Sequence, residues 1–442
     1  MTTDPRETTG RPAPQGSRID PYVDSYAARA QGMVASEVRA LFAVASRPEV
    51  VSLAGGMPNV SALPLEEMGD IVRRVTTEQG ATALQYGSAQ GDPALRERIC
   101  EVMALEGIDA SAEDVIVTVG SQQALDLVTR VFIDPGDVVL AEAPTYVTAI
   151  NTFAAFQADI QHVAMDEEGV LPEALEERLT ALAAAGRRAK FFYTVPNFQN
   201  PAGVTLTAGR RRRVLEICRR HGLLVLEDNP YGLLRYEGEA ERALRADAPD
   251  NVIYLGSFSK TLSPGFRIGW ALAPSAVRAK LVLAAESAML SHSTFNQLVV
   301  GRYLAEHPWR EQIKEFNEMY RERRDAMLAS LEAMMPPGTS WTRPEGGFFV
   351  WVTLPEGLDA KAMLPRAVGE RVAYVPGTGF FASDEGHRNM RLSFCYPTPA
   401  QIREGVRRLV GVIENEAALR DTFGTTPAPP APGGDAPTPD LP

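Results

Sequence analysis

Between residues 90 and 275 the chain repeats one unit: a short apolar run, a turn, then a helical stretch. The runs lie at 115–119, 138–141, 160–163, 190–195, 223–227, 252–255 and 268–272. A strand with one wet face alternates apolar and polar residues. Near-continuous apolar runs belong to strands covered on both faces, as in largely parallel sheets. Alternation of such runs with helices predicts a wound α/β domain. One helix, TAGRRRRVLEICRRHG, stops at Gly222, and its arginine block reads as a solvated face.

The pattern changes after residue 308. A long amphipathic helix is expected over 309–335, followed by GGFFVWVTL and MRLSFCY, which alternate like antiparallel strands. Thr398-Pro399 opens a last helix, the hydroxyl as cap and proline in the first turn. The expected organisation is a polar tail at 1–20, a segment at 21–55 that joins the smaller domain, a large α/β domain at 56–308, a small α+β domain at 309–418, and a proline-rich tail at 419–442. Seven of the last sixteen residues are proline, a composition that buries too little apolar surface to order itself.

Ligands of wound sheets bind beyond the carboxyl ends of the strands, and there the polar residues of this chain gather. The run at 115–119 leads into Gly120-Ser121-Gln122, a turn that opens a helix and presents backbone N–H groups to an anion. The next run ends near Tyr146, and the run at 190–195 leads to Asn200. Asp228 and Tyr231 follow the run at 223–227. The run at 252–255 leads into Ser257, Ser259 and Lys260, with Arg267 seven residues on. Each feature alone has a bland reading as turn chemistry, packing or a helix cap. Together they fit one ligand that has a phosphate, a planar ring, a basic ring nitrogen, a phenolic oxygen and an aldehyde. That ligand is pyridoxal 5'-phosphate. Asp228 would keep the ring nitrogen protonated, and Lys260 would carry the aldehyde and then move a proton as a free amine.

The stretches SFSKTLSPGFRIGW, PNFQNPAG, EDNPY, GSQQALDL and EAPTY are similar to fold-type I, class I/II pyridoxal-phosphate aminotransferases. They resemble in particular the branch of α-aminoadipate (LysN-type) aminotransferase and kynurenine aminotransferase II. SLAGGMPN, ALQYGSAQGDPALR, RPEGGFFVW and MRLSFCY match the same branch, so the resemblance runs from about residue 30 to 415. It implies an α/β fold of type I, a mostly parallel seven-stranded sheet plus a smaller α+β domain. It also implies an amino acid aminotransferase working by ping-pong, with 2-oxoglutarate as the acceptor.

The roles it implies run as follows. Lys260 is the imine and proton-transfer lysine, Asp228 pairs with the ring nitrogen, and Tyr146 stacks on the ring. Asn200 and Tyr231 bind the ring oxygen. Ser121, Gln122, Ser257, Ser259 and Arg267 hold the phosphate. Tyr86 reaches the phosphate of a neighbouring subunit, which implies a homodimer with shared sites. Arg391 grips the substrate α-carboxylate, and Gly56 and Asn200 pass beside the substrate. Ser36 and Arg39, three apart on one helix face, meet an acidic side chain, with Arg29 a rival for that role. The donor class is 2-aminoadipate, aromatic or aliphatic. GSAQG at 87–91 and MLSHSTFNQ depart from the branch.

Other readings are weighed against this one. Ser257-Phe258-Ser259-Lys260 matches the S-x-x-K of β-lactamases, but no K-T-G accompanies it. A MocR-type regulator carries a DNA-binding domain, whereas about 30 polar residues precede this one and the net charge is -12. That charge opposes nucleic acid and anionic membrane as partners. Lyase, racemase and cyclase chemistry on the same cofactor stays open. The three cysteines, Cys100, Cys218 and Cys395, are scattered, which points to reduced thiols, a cytoplasmic protein and no metal site.

Overall fold

In a computed structural model of the protein, residues 22–31, 47 and 49–423 are described. All seven anticipated strands form one sheet: β2 (Val115–Thr118), β3 (Val138–Ala143), β4 (Asp159–Asp166), β6 (Ala189–Thr194), β7 (Leu224–Asp228), β8 (Val252–Ser257) and β9 (Gly269–Leu272). A two-residue strand, β5 (Gly169–Val170), extends the β4 edge, and the order is β2-β9-β8-β7-β6-β3-β4-β5.

Strand periodicity explains the apolar runs. Val138, Leu140, Phe192, Val225 and Val252 point into one apolar cluster, against Leu175 and Leu179 of helix Pro172–Ala184 and Val214 and Ile217 of helix Ala208–Arg220. Val139, Ala141, Phe191, Tyr193, Leu226 and Ile253 point into the other, against Leu125 and Val128 of helix Gly120–Phe132. A fully buried side chain of this size contributes about 1.5–3 kcal/mol. Each central strand therefore gains on both faces, which a period-two polar pattern would forfeit.

One strand breaks the parallel rule, and the site depends on it. β9 runs antiparallel to both β8 and β2, while the pairs from β8 through β4 are parallel. The residues that enter β9 therefore lie on the edge where β2, β3, β6, β7 and β8 end. Arg267, just before β9, is brought there from a sequence position at the opposite kind of strand end. Gly269 makes the approach close: a Cβ there would lie 2.5 Å from the Gly120 backbone and 2.6 Å from the Ser121 nitrogen.

The smaller domain holds an antiparallel sheet of β10 (Ser340–Trp341), β11 (Phe349–Thr353), β14 (Asn389–Ser393) and β13 (Val375–Pro376), in that order. Helices Trp309–Met334 and Pro399–Phe423 accompany it. Thr398 and Gln401 exchange backbone-to-side-chain hydrogen bonds at the start of the last helix, at 2.9 and 3.3 Å. The N-terminal segment joins this domain through β1 (Val51–Ser52), parallel to β12 (Val372–Ala373), and through the Ser393 N–H bond to the Leu53 carbonyl.

The last helix runs to Phe423, and 414–423 contains no proline or glycine to stop it. One expectation needs correction. The arginine block is not uniformly solvated. Arg211 is buried, and it donates to Leu206 O at 2.7 Å, Pro196 O at 3.0 Å and Asn197 Oδ1 at 2.7 Å, pinning the loop that follows β6. No helix among the described residues is long and apolar enough to cross a membrane.

Candidate active site

A cavity of about 500 Å³ opens at the carboxyl edge of the large sheet, against the smaller domain. It is lined by Gly56, Ser121, Gln122, Tyr146, Asn200, Asp228, Tyr231, Ser257, Ser259, Lys260, Arg267 and Arg391, each anticipated from sequence. Tyr86 is not among the lining residues and is 76% exposed. Arg29 sits exposed on the short helix Ala28–Gln31, away from the lining. Ser36 and Arg39 lie outside the described residues.

At one end of the cavity the helix Gly120–Phe132 begins. The first N–H groups of a helix have no partner within it and carry the positive end of its dipole. Gly120 takes φ +71°, which a side chain would resist, and a Cβ there would meet the Arg267 guanidinium. Arg267 itself holds φ 54° and ψ 43°, and its Nη2 donates to Val119 O at 2.9 Å. The Ser257 and Ser259 hydroxyls meet at 2.9 Å, and the Ser259 N–H donates to Ser257 Oγ at 3.0 Å. Backbone amides, two hydroxyls and a guanidinium around one point form a cradle for a phosphate.

In the centre, Asp228 ends β7. Tyr193 Oη donates to its Oδ2 at 2.9 Å, and its Oδ1 is buried with no partner. Burial pushes the carboxyl up to about 6, against the Tyr193 bond. An unsatisfied buried acceptor costs about 1–3 kcal/mol, so an oxygen kept in this state calls for a donor from a ligand, and a protonated ring nitrogen supplies one. Lys260 approaches from β8. Its Nζ donates to Gly56 O at 2.8 Å, and burial, joined by the fields of Arg391 and Arg267, brings its ammonium down to about 8. An amine with that property is a nucleophile near neutral pH.

The far end is built by the smaller domain. Arg391, on β14, is buried, and its Nη1 donates to Asn200 Oδ1 and its Nη2 to Ala54 O, both at 2.8 Å. Its guanidinium lies 4.0 Å from the Phe349 ring centre and 5.1 Å from that of Phe380. Its Nε is buried without a partner. A buried guanidinium held by neutral groups is set for a carboxylate from outside.

Sequence reasoning missed four contributors. Tyr193 reads as one more apolar strand residue, and Arg211 is hidden in a run of arginines. Glu142, in β3, is fully buried and accepts from Thr194 Oγ1 at 2.6 Å, Val195 N at 3.1 Å and Gln199 Nε2 at 3.3 Å; burial pushes it up to about 7. It ties the ends of β3 and β6, whose turns carry Tyr146 and Asn200. Phe349 lines the cavity beneath Arg391. The acidic residue inside an apolar run was the one visible signal for Glu142.

The phosphate cradle, the orphaned Asp228 oxygen and the depressed lysine fit pyridoxal phosphate. Comparison with known proteins points the same way. The family described as aminotransferase class I and II matches residues 50–409. Aromatic-amino-acid aminotransferase 1 of Thermococcus litoralis is 45% identical over 397 residues, covering 89% of this chain and 95% of its own. The structure of Pyrococcus horikoshii kynurenine aminotransferase superposes with a TM-score of 0.86 at 42% identity, over 90% of this chain and 99% of that one. That of the α-aminoadipate aminotransferase LysN from Thermus thermophilus, complexed with N-(5'-phosphopyridoxyl)-L-leucine, gives 0.83 at 38%, over 90% and 99%. The chain thus belongs to the class I and II aminotransferases and is a pyridoxal-phosphate-dependent enzyme that transfers amino groups.

Proposed function

We propose that the enzyme moves the amino group of an L-amino acid to 2-oxoglutarate by ping-pong, with donors of the 2-aminoadipate, aromatic or aliphatic type. The observation that carries this reading is one cavity holding Lys260, the orphaned Asp228 oxygen and the unpaired Arg391 together. The relatives' names support a broad donor range. They include an aromatic-amino-acid aminotransferase, a kynurenine aminotransferase and an α-aminoadipate aminotransferase bound to a leucine adduct.

When bound, pyridoxal phosphate supplies the aldehyde that takes up the amino group and a protonated ring that accepts the electron pair released at the substrate Cα. The residues divide the remaining work. The Gly120 helix start, Ser257, Ser259 and Arg267 anchor the phosphate. Asp228 keeps the ring nitrogen protonated, and Tyr146 covers the ring face. Asn200 and Tyr231 hold the ring oxygen, and Asn200 also aligns Arg391. Arg391 binds the α-carboxylate, which fixes the Cα beside Lys260. Lys260, as a free amine, would be placed to take up the Cα proton and to give it back as an acid.

The same reading takes the active form as a homodimer. Tyr86 stands exposed at the surface with Leu84, Met289 and Leu290, a grouping that supports burial against a second copy. Tyr86 then serves the partner's phosphate. Arg39, with Ser36, reads the distal carboxylate of acidic substrates. A donor screen against 2-oxoglutarate, followed by the absorbance of bound cofactor, tests the assignment. Turnover of acidic, aromatic and aliphatic donors is the expected result. Loss of donor amino group without a 2-oxo acid product would overturn it.

A further inference from the structure

Residues 54–57 form a strap between the smaller domain and Lys260, and four successive carbonyls on it are held. Ala54 O accepts from Arg391 Nη2 and Gly56 O from Lys260 Nζ, each at 2.8 Å. Gly55 O and Met57 O instead face Cys395 Sγ, at 3.5 and 3.1 Å. The even-numbered carbonyls thus meet the two cations of the site, and the odd-numbered ones meet a single thiol behind it. Such alternation is what an extended segment gives.

Cys395 is well placed to anchor the strap. It is fully buried, and Arg323 holds its carbonyl. The Phe394 N–H bonds Phe348 O at 3.1 Å just before it. Ser393 Oγ lies 3.2 Å from its sulfur and is itself buried. A thiol has one hydrogen to give. The arrangement that satisfies the group is Ser393 O–H to sulfur and S–H to Met57 O, with Gly55 O at the rim of the same hydrogen. Burial raises the thiol, so it keeps that hydrogen at neutral pH.

We propose that Cys395 is a positioning residue: it fixes the odd-numbered carbonyls of the strap so that the Ala54 and Gly56 carbonyls face Arg391 and Lys260. It acts on substrate through Arg391 and touches no reacting atom. The proposal rests on the roles given above to Lys260 and Arg391. Loosening the strap releases Arg391 from Ala54 O and weakens the grip on the α-carboxylate equally before and during reaction. An effect of that kind raises KM and leaves kcat in place.

The test uses the holoenzyme with Cys395→Ala, Cys395→Ser and Ser393→Ala, read by hydrogen exchange of a peptide spanning 53–59 and by steady-state kinetics. Cys395→Ala should speed exchange of that peptide and raise donor KM about three- to tenfold, the scale of one neutral hydrogen bond, with kcat within twofold. Cys395→Ser restores a donor and should recover at least half of each effect. Ser393→Ala should fall between. Unchanged exchange at 53–59 in Cys395→Ala, or a Cys395→Ser variant no better than alanine, would overturn the proposal. Borohydride labelling of Lys260 in the same variants separates the two readings. Label on Lys260 with an unaltered strap defeats the clamp alone, whereas label elsewhere defeats the site assignment beneath it.

Discussion

The phenol of Tyr193 donates to Asp228 Oδ2 at 2.9 Å and leaves Oδ1 without a partner beside the cavity. Both groups are buried, so the bond orients the carboxylate and opposes the desolvation that raises it. Tyr193→Phe removes this bond while keeping the ring packed against Phe153, 5.5 Å away. A hydrogen bond to a charged group contributes about 1.5–3 kcal/mol, so kcat/KM should fall roughly 10- to 150-fold. Asp228→Asn should lose roughly 10²-fold or more. In the Asp228→Asn background Tyr193→Phe should have little further effect, because its partner charge is already gone.

Burial brings Lys260 down to about 8, well below an exposed lysine, in the cofactor-free protein. Its proton is lost as pH rises through 8, whereas an exposed lysine waits until above 10. Competitive labelling with an amine reagent, mapped by mass spectrometry, should show half-maximal modification of Lys260 near pH 8. A midpoint above 10 would remove the argument from burial.

Gly269→Ala places a Cβ 2.5 Å from the Gly120 backbone. The helix start must then shift away from β9, and the phosphate cradle opens with it. The expected outcome is a folded protein with far-ultraviolet dichroism like the wild type but cofactor affinity lower by at least tenfold. Equilibrium dialysis checks it.

Arg391→Ala should damage every donor. Arg39→Ala should cost acidic donors about 10- to 150-fold, the scale of a charged hydrogen bond, and change apolar donors by less than about threefold. Single-turnover half-reactions separate the two. Equal losses for acidic and apolar donors in Arg39→Ala would make it a structural residue.

The seven strands were legible because burial on both faces leaves an unmistakable apolar run, as in Val252-Ile253-Tyr254-Leu255. Their carboxyl ends marked the cavity residues for the same reason, since polar groups there interrupt the pattern. Tyr193 was illegible because its value lies in a partner on the adjacent strand, Asp228 at the end of β7, and its own position fits a core tyrosine. Arg211 faces the loop after β6, whereas Arg212 and Arg213 are exposed and Arg210 turns to Asp166 and Gly169 O. Cys395 looked inert, since a lone thiol gains meaning only when the strap at 54–57 folds against it. The helix that runs to Phe423 outlasts its apolar stripe, held past it by the Glu416–Arg366 pair and the Arg420 bond to Glu356 O.

On this reading Lys260 carries the cofactor in a cradle made by the strand ends and Arg267. Borohydride reduction of the holoenzyme, followed by digestion and peptide mapping, tests it most directly. A pyridoxyl group is expected on the peptide containing Ser257-Phe258-Ser259-Lys260, at Lys260, and none in Lys260→Ala, which should still bind cofactor through its phosphate but lose turnover. A pyridoxyl group on any other lysine would contradict it.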